Sequence, residues 1–140
     1  SLSKLYGLKS KIETAIARRV WLKSGAYLVI DQTEALTVID VNSGKYEAAK
    51  PTEETFRTIN REAAEEIALQ LRLRNLSGII IADFINMDKY EDQKALLQYL
   101  EELTAADRQK TKIVDITPLG LVEITRKKVG KPLSEQLTAF

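Results

Sequence analysis

Gly78-Ile79-Ile80-Ile81-Ala82-Asp83 is an unbroken apolar run closed by an acid, and Ala35-Leu36-Thr37-Val38-Ile39-Asp40 repeats the pattern earlier in the chain. Short β-branched runs of this kind read as buried strands. The continuous apolar character of the second run predicts a central strand covered on both sides. An acid ending such a strand must reach water or a partner, because a buried unpaired charge is costly. Two acids emerging side by side repel unless a cation lies between them. The pattern therefore points to a magnesium site and to metal-dependent phosphoryl chemistry.

Working outward, Leu5, Leu8, Ile12 and Ile16 recur at helical spacing and predict an amphipathic helix over roughly Ser3 to Arg18. Val20 to Lys23, a Ser24-Gly25 turn and Ala26 to Asp31 read as a hairpin, and a further strand ends near Val41. Thr52 is placed to cap a long helix, with Glu53 and Glu54 in its first turn and Phe56, Ala63, Ile67 and Leu71 along one face. That helix is expected to end near Asn75. A second helix is expected over about Lys89 to Ala105, then strands over Lys112 to Ile116 and Leu121 to Arg126, and a short helix from Leu133. Residues 1–140 then form a single domain of α/β (mixed α+β) class, with flanking helices on a mixed sheet.

The 140 residues contain neither cysteine nor histidine. Disulfides, thiolate sites, imidazole-bound zinc and Ser-His or Cys-His nucleophiles are excluded. Oxygen ligands favour magnesium, with manganese or calcium as alternatives. No run is long enough to cross a bilayer and no signal-peptide pattern opens the chain, so no membrane partner and a cytoplasmic location are expected.

The net charge of +1 is unevenly spread. Six basic residues stand against one acid in residues 1–25, and seven against two in residues 108–131. A polyanion could use these ends, although solvated surface is the plainer explanation.

The crossover helix makes the two acid-ended strands parallel neighbours, with Asp40 and Asp83 at one edge as metal ligands. Asn42 shares the face of Asp40 and is placed to hold its carboxylate. Asn86 and Asp88 flank Met87 near the same edge and could lend an outer oxygen. Lys110 and Lys112 alternate on one face, and Arg126-Lys127-Lys128 closes the last strand; all are candidates to grip phosphates. The competing explanations are that the strand-end acids form turns or caps, or that Asp83 pairs with an arginine such as Arg126. Asp88, Glu91 and Asp92 read as ordinary first-turn acids. Trp21, within Val20-Trp21-Leu22, is expected in the core or an interface rather than stacked on a base.

These blocks together resemble the ribonuclease E/G family. The resemblance is carried by Val20-Trp21-Leu22-Lys23-Ser24-Gly25, by Val29 to Thr37, and by Ile39-Asp40-Val41-Asn42-Ser43-Gly44. It continues through Asn60 to Ala68, Gln70 to Arg74, Ile81-Ala82-Asp83-Phe84-Ile85-Asn86-Met87, and Gly120 to Lys127. It implies that family's deoxyribonuclease I-like subdomain, with its metal-binding aspartates on Asp40 and Asp83 and a supporting asparagine on Asn42. A basic residue near the RNA falls at Lys110. The implied reaction is magnesium-dependent endonucleolytic cleavage of single-stranded RNA, often A/U-rich, leaving a 5′-phosphate and a 3′-hydroxyl. The chain departs from the family at Asn86, where aspartate is usual. It also lacks the S1 domain, the 5′-sensor, the ribonuclease H-like part and the zinc-sharing cysteine pair. The implied partners are RNA and, if the chain is a fragment, those remaining domains; a homo-oligomer stays open. Weak, salt-sensitive RNA binding and little activity in isolation are expected. Two alternatives compete: a receiver-like phosphoacceptor domain, for which Lys131-Pro132 is the suggestive pair, and a non-catalytic RNA-binding or dimerisation scaffold.

Overall fold

Thr52 has extended backbone geometry and its hydroxyl accepts a hydrogen bond from the Thr55 amide at 3.2 Å, which starts helix α1 (Glu53–Leu73) with two acids in its first turn. Asn75, at φ 49°, ends it in a left-handed conformation that asparagine tolerates. The chain then enters β4 (Gly78–Asp83). The computed structural model describes residues 17–47, 51–117 and 120–128.

Before α1 come β1 (Arg19–Trp21), β2 (Tyr27–Gln32) and β3 (Thr37–Asn42), followed by a 3-10 turn over Gly44–Glu47. After β4 come α2 (Tyr90–Ala105), β5 (Thr111–Ile116) and β6 (Leu121–Arg126). One six-stranded sheet runs in the order β1-β2-β3-β4-β6-β5. The β3–β4 pair is parallel and its other neighbouring pairs are antiparallel. A parallel pair needs a crossover, and α1 supplies it between β3 and β4. The chain is thus the mixed α/β fold expected from its sequence, with the expected strands and helices within a residue or two of their anticipated limits. The helix expected over Ser3 to Arg18 falls outside the described residues except Ala17 and Arg18, which are not helical. The C-terminal helix expected from Leu133 lies wholly outside them.

Alternation along the strands sorts the side chains onto two faces. Leu28, Ile39, Ile80, Val122 and Ile124 are fully buried with Ile59, Ala63, Ile67 and Leu71 of α1 and Leu100 of α2. Each large side chain buried there contributes about 1.5–3 kcal/mol relative to exposure. The alanines of α1 let the helix backbone lie close to the strands. The opposite face carries Ile79, Ile81 and Asp83 of β4 beside Val38, Asp40 and Asn42 of β3. The expectation that β4 is covered on both sides is corrected: Ile79 is 42 % exposed, and both described helices pack on the other face. The apolar run arises because Ile79 and Ile81 line a second, partly exposed sheet surface.

Candidate active site

The parallel register pairs Asp40 with Asp83 directly, at the C-terminal ends of β3 and β4. Register partners on adjacent strands lie about 4.8 Å apart and point to the same face. The crossover through α1 therefore brings two acids from distant parts of the chain to one rim. Burial, and then the negative charge of Asp40, push the Asp83 carboxyl above its ordinary range. Among the described residues, neither acid forms an ion pair.

Asn42 follows Asp40 on the same face. Its Nδ2 donates to Asp40 Oδ2 and to the Asp40 carbonyl, both at 3.4 Å. These long bonds orient the carboxylate more than they stabilise it. The turn after Asn42 is held by tight backbone packing. At Gly44 (φ +62°) an added Cβ would run into the carbonyl of Gly25, so the turn following β3 rests on the turn following β1.

On the other side of the rim, a cleft of about 430 Å³ is lined by Asp83, Phe84, Asn86, Gln93, Ile116, Thr117 and Gly120. Its floor is the segment after β4, and two amides fix that segment. Asn60 is fully buried in α1; its Nδ2 donates to the Ile85 carbonyl at 2.8 Å and its Oδ1 accepts from the Ile85 amide at 2.9 Å. Gln93 Nε2 donates to the Met87 carbonyl at 2.7 Å. Asn60 escaped the sequence reading. The signal was present, since an amide stands between Phe56 and Ala63 on the inward face of a helix, where only a satisfied polar group is tolerated.

The donor set fits a hard divalent cation. Two carboxylates supply oxygen ligands, their mutual repulsion is what a cation relieves, and the chain holds no imidazole or thiol that would select zinc. The described residues contain no cluster of three or more acids, so most of the ion's coordination would fall to water and phosphate oxygens. Asp92, one of the weaker acidic candidates, is engaged by Arg57 at 3.3 Å.

The expected basic residues are not at this rim. Asp83 pairs with Leu121, whereas Gly78 at the start of β4 pairs with Arg126. Five residues along a strand separate the two ends by about 16 Å. The Lys127 amide donates to the Lys110 carbonyl at 2.9 Å, and Lys112 pairs with Thr125, so Lys110, Lys112 and Lys127 gather toward the far end. Their side chains are exposed there. Arg126 is a correction: only 3 % exposed, it is a buried structural cation and cannot grip phosphate. Its Nε donates to Asp107 Oδ2 at 2.8 Å, its Nη2 to Asp107 Oδ1 at 3.3 Å, and its Nη1 to the Leu76 carbonyl at 2.9 Å. It pairs with Asp107 and not with Asp83. Trp21 was expected in the core or an interface; at 61 % exposure it is not in the core.

The chain is similar to several known proteins. The chain is 46 % identical over 133 residues to Ribonuclease G of Salmonella typhimurium (strain SL1344), covering 95 % of this chain and 27 % of that protein. It is 47 % identical to Ribonuclease G of Haemophilus influenzae over the same shares of the two chains. It is 46 % identical over 135 residues to Ribonuclease E of Synechocystis sp., covering 96 % of this chain and 20 % of that protein. The chain thus spans about a quarter or less of the length of these relatives. The model of the Ribonuclease E/G family matches residues 1–129, and the chain belongs to that family.

Proposed function

We propose that this chain is the metal-holding part of an endoribonuclease that cuts single-stranded RNA in RNA processing or decay. The pairing of Asp40 with Asp83 at an accessible sheet rim carries the reading. Asp40 and Asp83 are the ligands of a magnesium ion, which manganese could replace. When bound, the ion polarises the scissile phosphate and makes water a better nucleophile. Asn42 keeps the Asp40 carboxylate turned toward the rim. Asn60 fixes the loop beyond Asp83 and with it the wall of the adjoining cleft. In the reaction a bond forms between water oxygen and phosphorus while the bond from phosphorus to the 3′-oxygen breaks. The products are a 5′-phosphate and a 3′-hydroxyl, and no histidine is required.

Lys110, Lys112 and Lys127 hold the RNA backbone away from the cut, as sequence-independent charges. RNA binding by this chain alone is weak and falls steeply with salt, since it spans only a small share of its relatives. The activity is cytoplasmic on this reading, a location that the ribonuclease G relatives fit. The receiver-like alternative does not match the sheet. Receiver folds are built on a doubly wound, mostly parallel sheet, and here, among the described strands, the parallel pair is β3–β4 alone.

Two measurements test the proposal. Calorimetric titration of the chain with magnesium should show binding that Asp40→Asn removes; no heat from the unaltered chain would favour the non-catalytic scaffold. In a cleavage assay on single-stranded RNA with magnesium, the slow activity of the chain should fall about 10³-fold or more in Asp83→Asn. That factor corresponds to several kcal/mol of lost charge stabilisation.

A further inference from the structure

The face of the sheet that presents the two acids also carries two rings and a guanidinium, with Trp21 and Arg19 exposed and Tyr27 half-buried. Trp21 pairs with Tyr27, and Tyr27 pairs with Asn42, so the three lie in one row across β1, β2 and β3. Arg19 pairs with Val29, which pairs with Asp40, so Arg19 shares the row of the acids themselves. The Trp21 and Tyr27 rings lie 5.0 Å apart at 54°. The Arg19 guanidinium sits 4.4 Å from the Tyr27 ring centre and 5.6 Å from that of Trp21. Two strand spacings put Trp21 about 10 Å from Asn42.

We propose that Arg19, Trp21 and Tyr27 form a stacking platform for a base of the RNA strand close to the phosphate held at Asp40 and Asp83. This rests on the nuclease reading above. Single-stranded nucleic acid is held without sequence preference by aromatic faces combined with cations along the backbone path. The platform has that composition on the acid-bearing face, and the acids themselves cannot attract the strand. A tryptophan left 61 % exposed on an edge strand is otherwise an unfavourable use of a large apolar side chain. Arg19 preserves the platform's shape by cation–π contact and adds a positive charge where a flanking phosphate passes. The strand then crosses the sheet from the platform, over Asp40 and Asp83, toward the cleft between Asp83 and Thr117.

Trp21 is the sole tryptophan of the chain, so its fluorescence reports on the platform directly. The chain, in chelator and low salt so that nothing is cut, is titrated with a short oligoadenylate carrying a terminal dye, reading dye anisotropy and tryptophan emission together. Both signals should change along one binding curve, and inorganic polyphosphate, which has no bases, should leave the emission unchanged. Trp21→Ala should weaken binding roughly 5- to 150-fold, and Trp21→Phe should recover most of it. Leu73→Ala, an exposed apolar change at the end of α1, should alter nothing. Anisotropy that rises with unchanged emission, or with full affinity in Trp21→Ala, overturns the platform and leaves the nuclease reading standing. No binding by either signal overturns the platform, while the nuclease reading is decided by the magnesium titration and the cleavage assay. An emission change that follows protein concentration without RNA assigns the patch to a second copy of the chain and likewise overturns the platform.

Discussion

The two ends of β4 handle an aspartate in opposite ways. At its C-terminal end Asp83 faces Asp40, the two charges are alike, and both remain at an accessible rim. At its N-terminal end Asp107 meets Arg126, the charges are opposite, and their side chains are 5 % and 2 % exposed. The two surroundings shift the two carboxyls in opposite senses. The Arg126 guanidinium, helped by bonds from the Gln109 amide and the Thr111 hydroxyl, holds the Asp107 carboxyl down at about 2. Burial and Asp40 raise that of Asp83. One end stabilises the fold by itself. The other stores a repulsion between like charges, which a proton or a cation would relieve.

The far end offers the largest test of stability. Arg126→Met leaves Asp107 buried without its cation and should destabilise the fold by about 3–5 kcal/mol in urea unfolding. Magnesium binding, measured well below the melting temperature, should persist, because the rim lies about 16 Å along the strand. Loss of both together would show that the two ends are one cooperative unit.

Acid should have a smaller effect, centred on the same pair. Asp107 has a folded-state value of about 2, below its ordinary 3.8. Its contribution is therefore fully present above about pH 4 and is lost as pH falls toward 2. It amounts to about 2 kcal/mol. Urea unfolding across that window should show the decline, and Asp107→Asn should remove most of it.

At the rim the sign reverses and the effect is smallest. A carboxyl raised in the folded state weakens the fold at neutral pH, and the penalty fades as pH falls through its own range. Without divalent ions, Asp83→Asn should therefore melt slightly above the unaltered chain. Saturating magnesium should reverse that order, because ligand binding to the native state stabilises only the chain that still binds it. An Asp83→Asn chain that melts lower in chelator would remove the argument that the rim is strained by like charge.

Much of this was legible in the residues. The β-branched runs, the Thr52 cap and the spacing of Phe56 to Leu71 are local signals. All six strands and both described helices followed from such patterns. That Asp40 and Asp83 belong together also followed, because a helix between two apolar runs requires a parallel crossover. Asn60 was missed because its role is a two-sided bond to Ile85, a residue 25 positions away. Arg126 was misplaced because, in sequence, a basic strand end reads the same whether it meets water or a buried acid. The core alternative for Trp21 failed for the converse reason: hydrophobicity predicts burial, but period-two alternation put Val20 and Leu22 inside and turned the ring outward.

By itself, the sequence determined the kinds of element, their order, the absence of any imidazole or thiolate ligand for a metal, and the membership of a nuclease family. Tertiary structure alone decided which charges meet. Register set Asp40 against Asp83, neither in an ion pair among the described residues, and sent Arg126 to the opposite end of the same strands. The physical reason is range. Helix and strand patterns arise from neighbours along the chain, whereas the fate of a charge depends on whatever packing brings within a few ångströms of it.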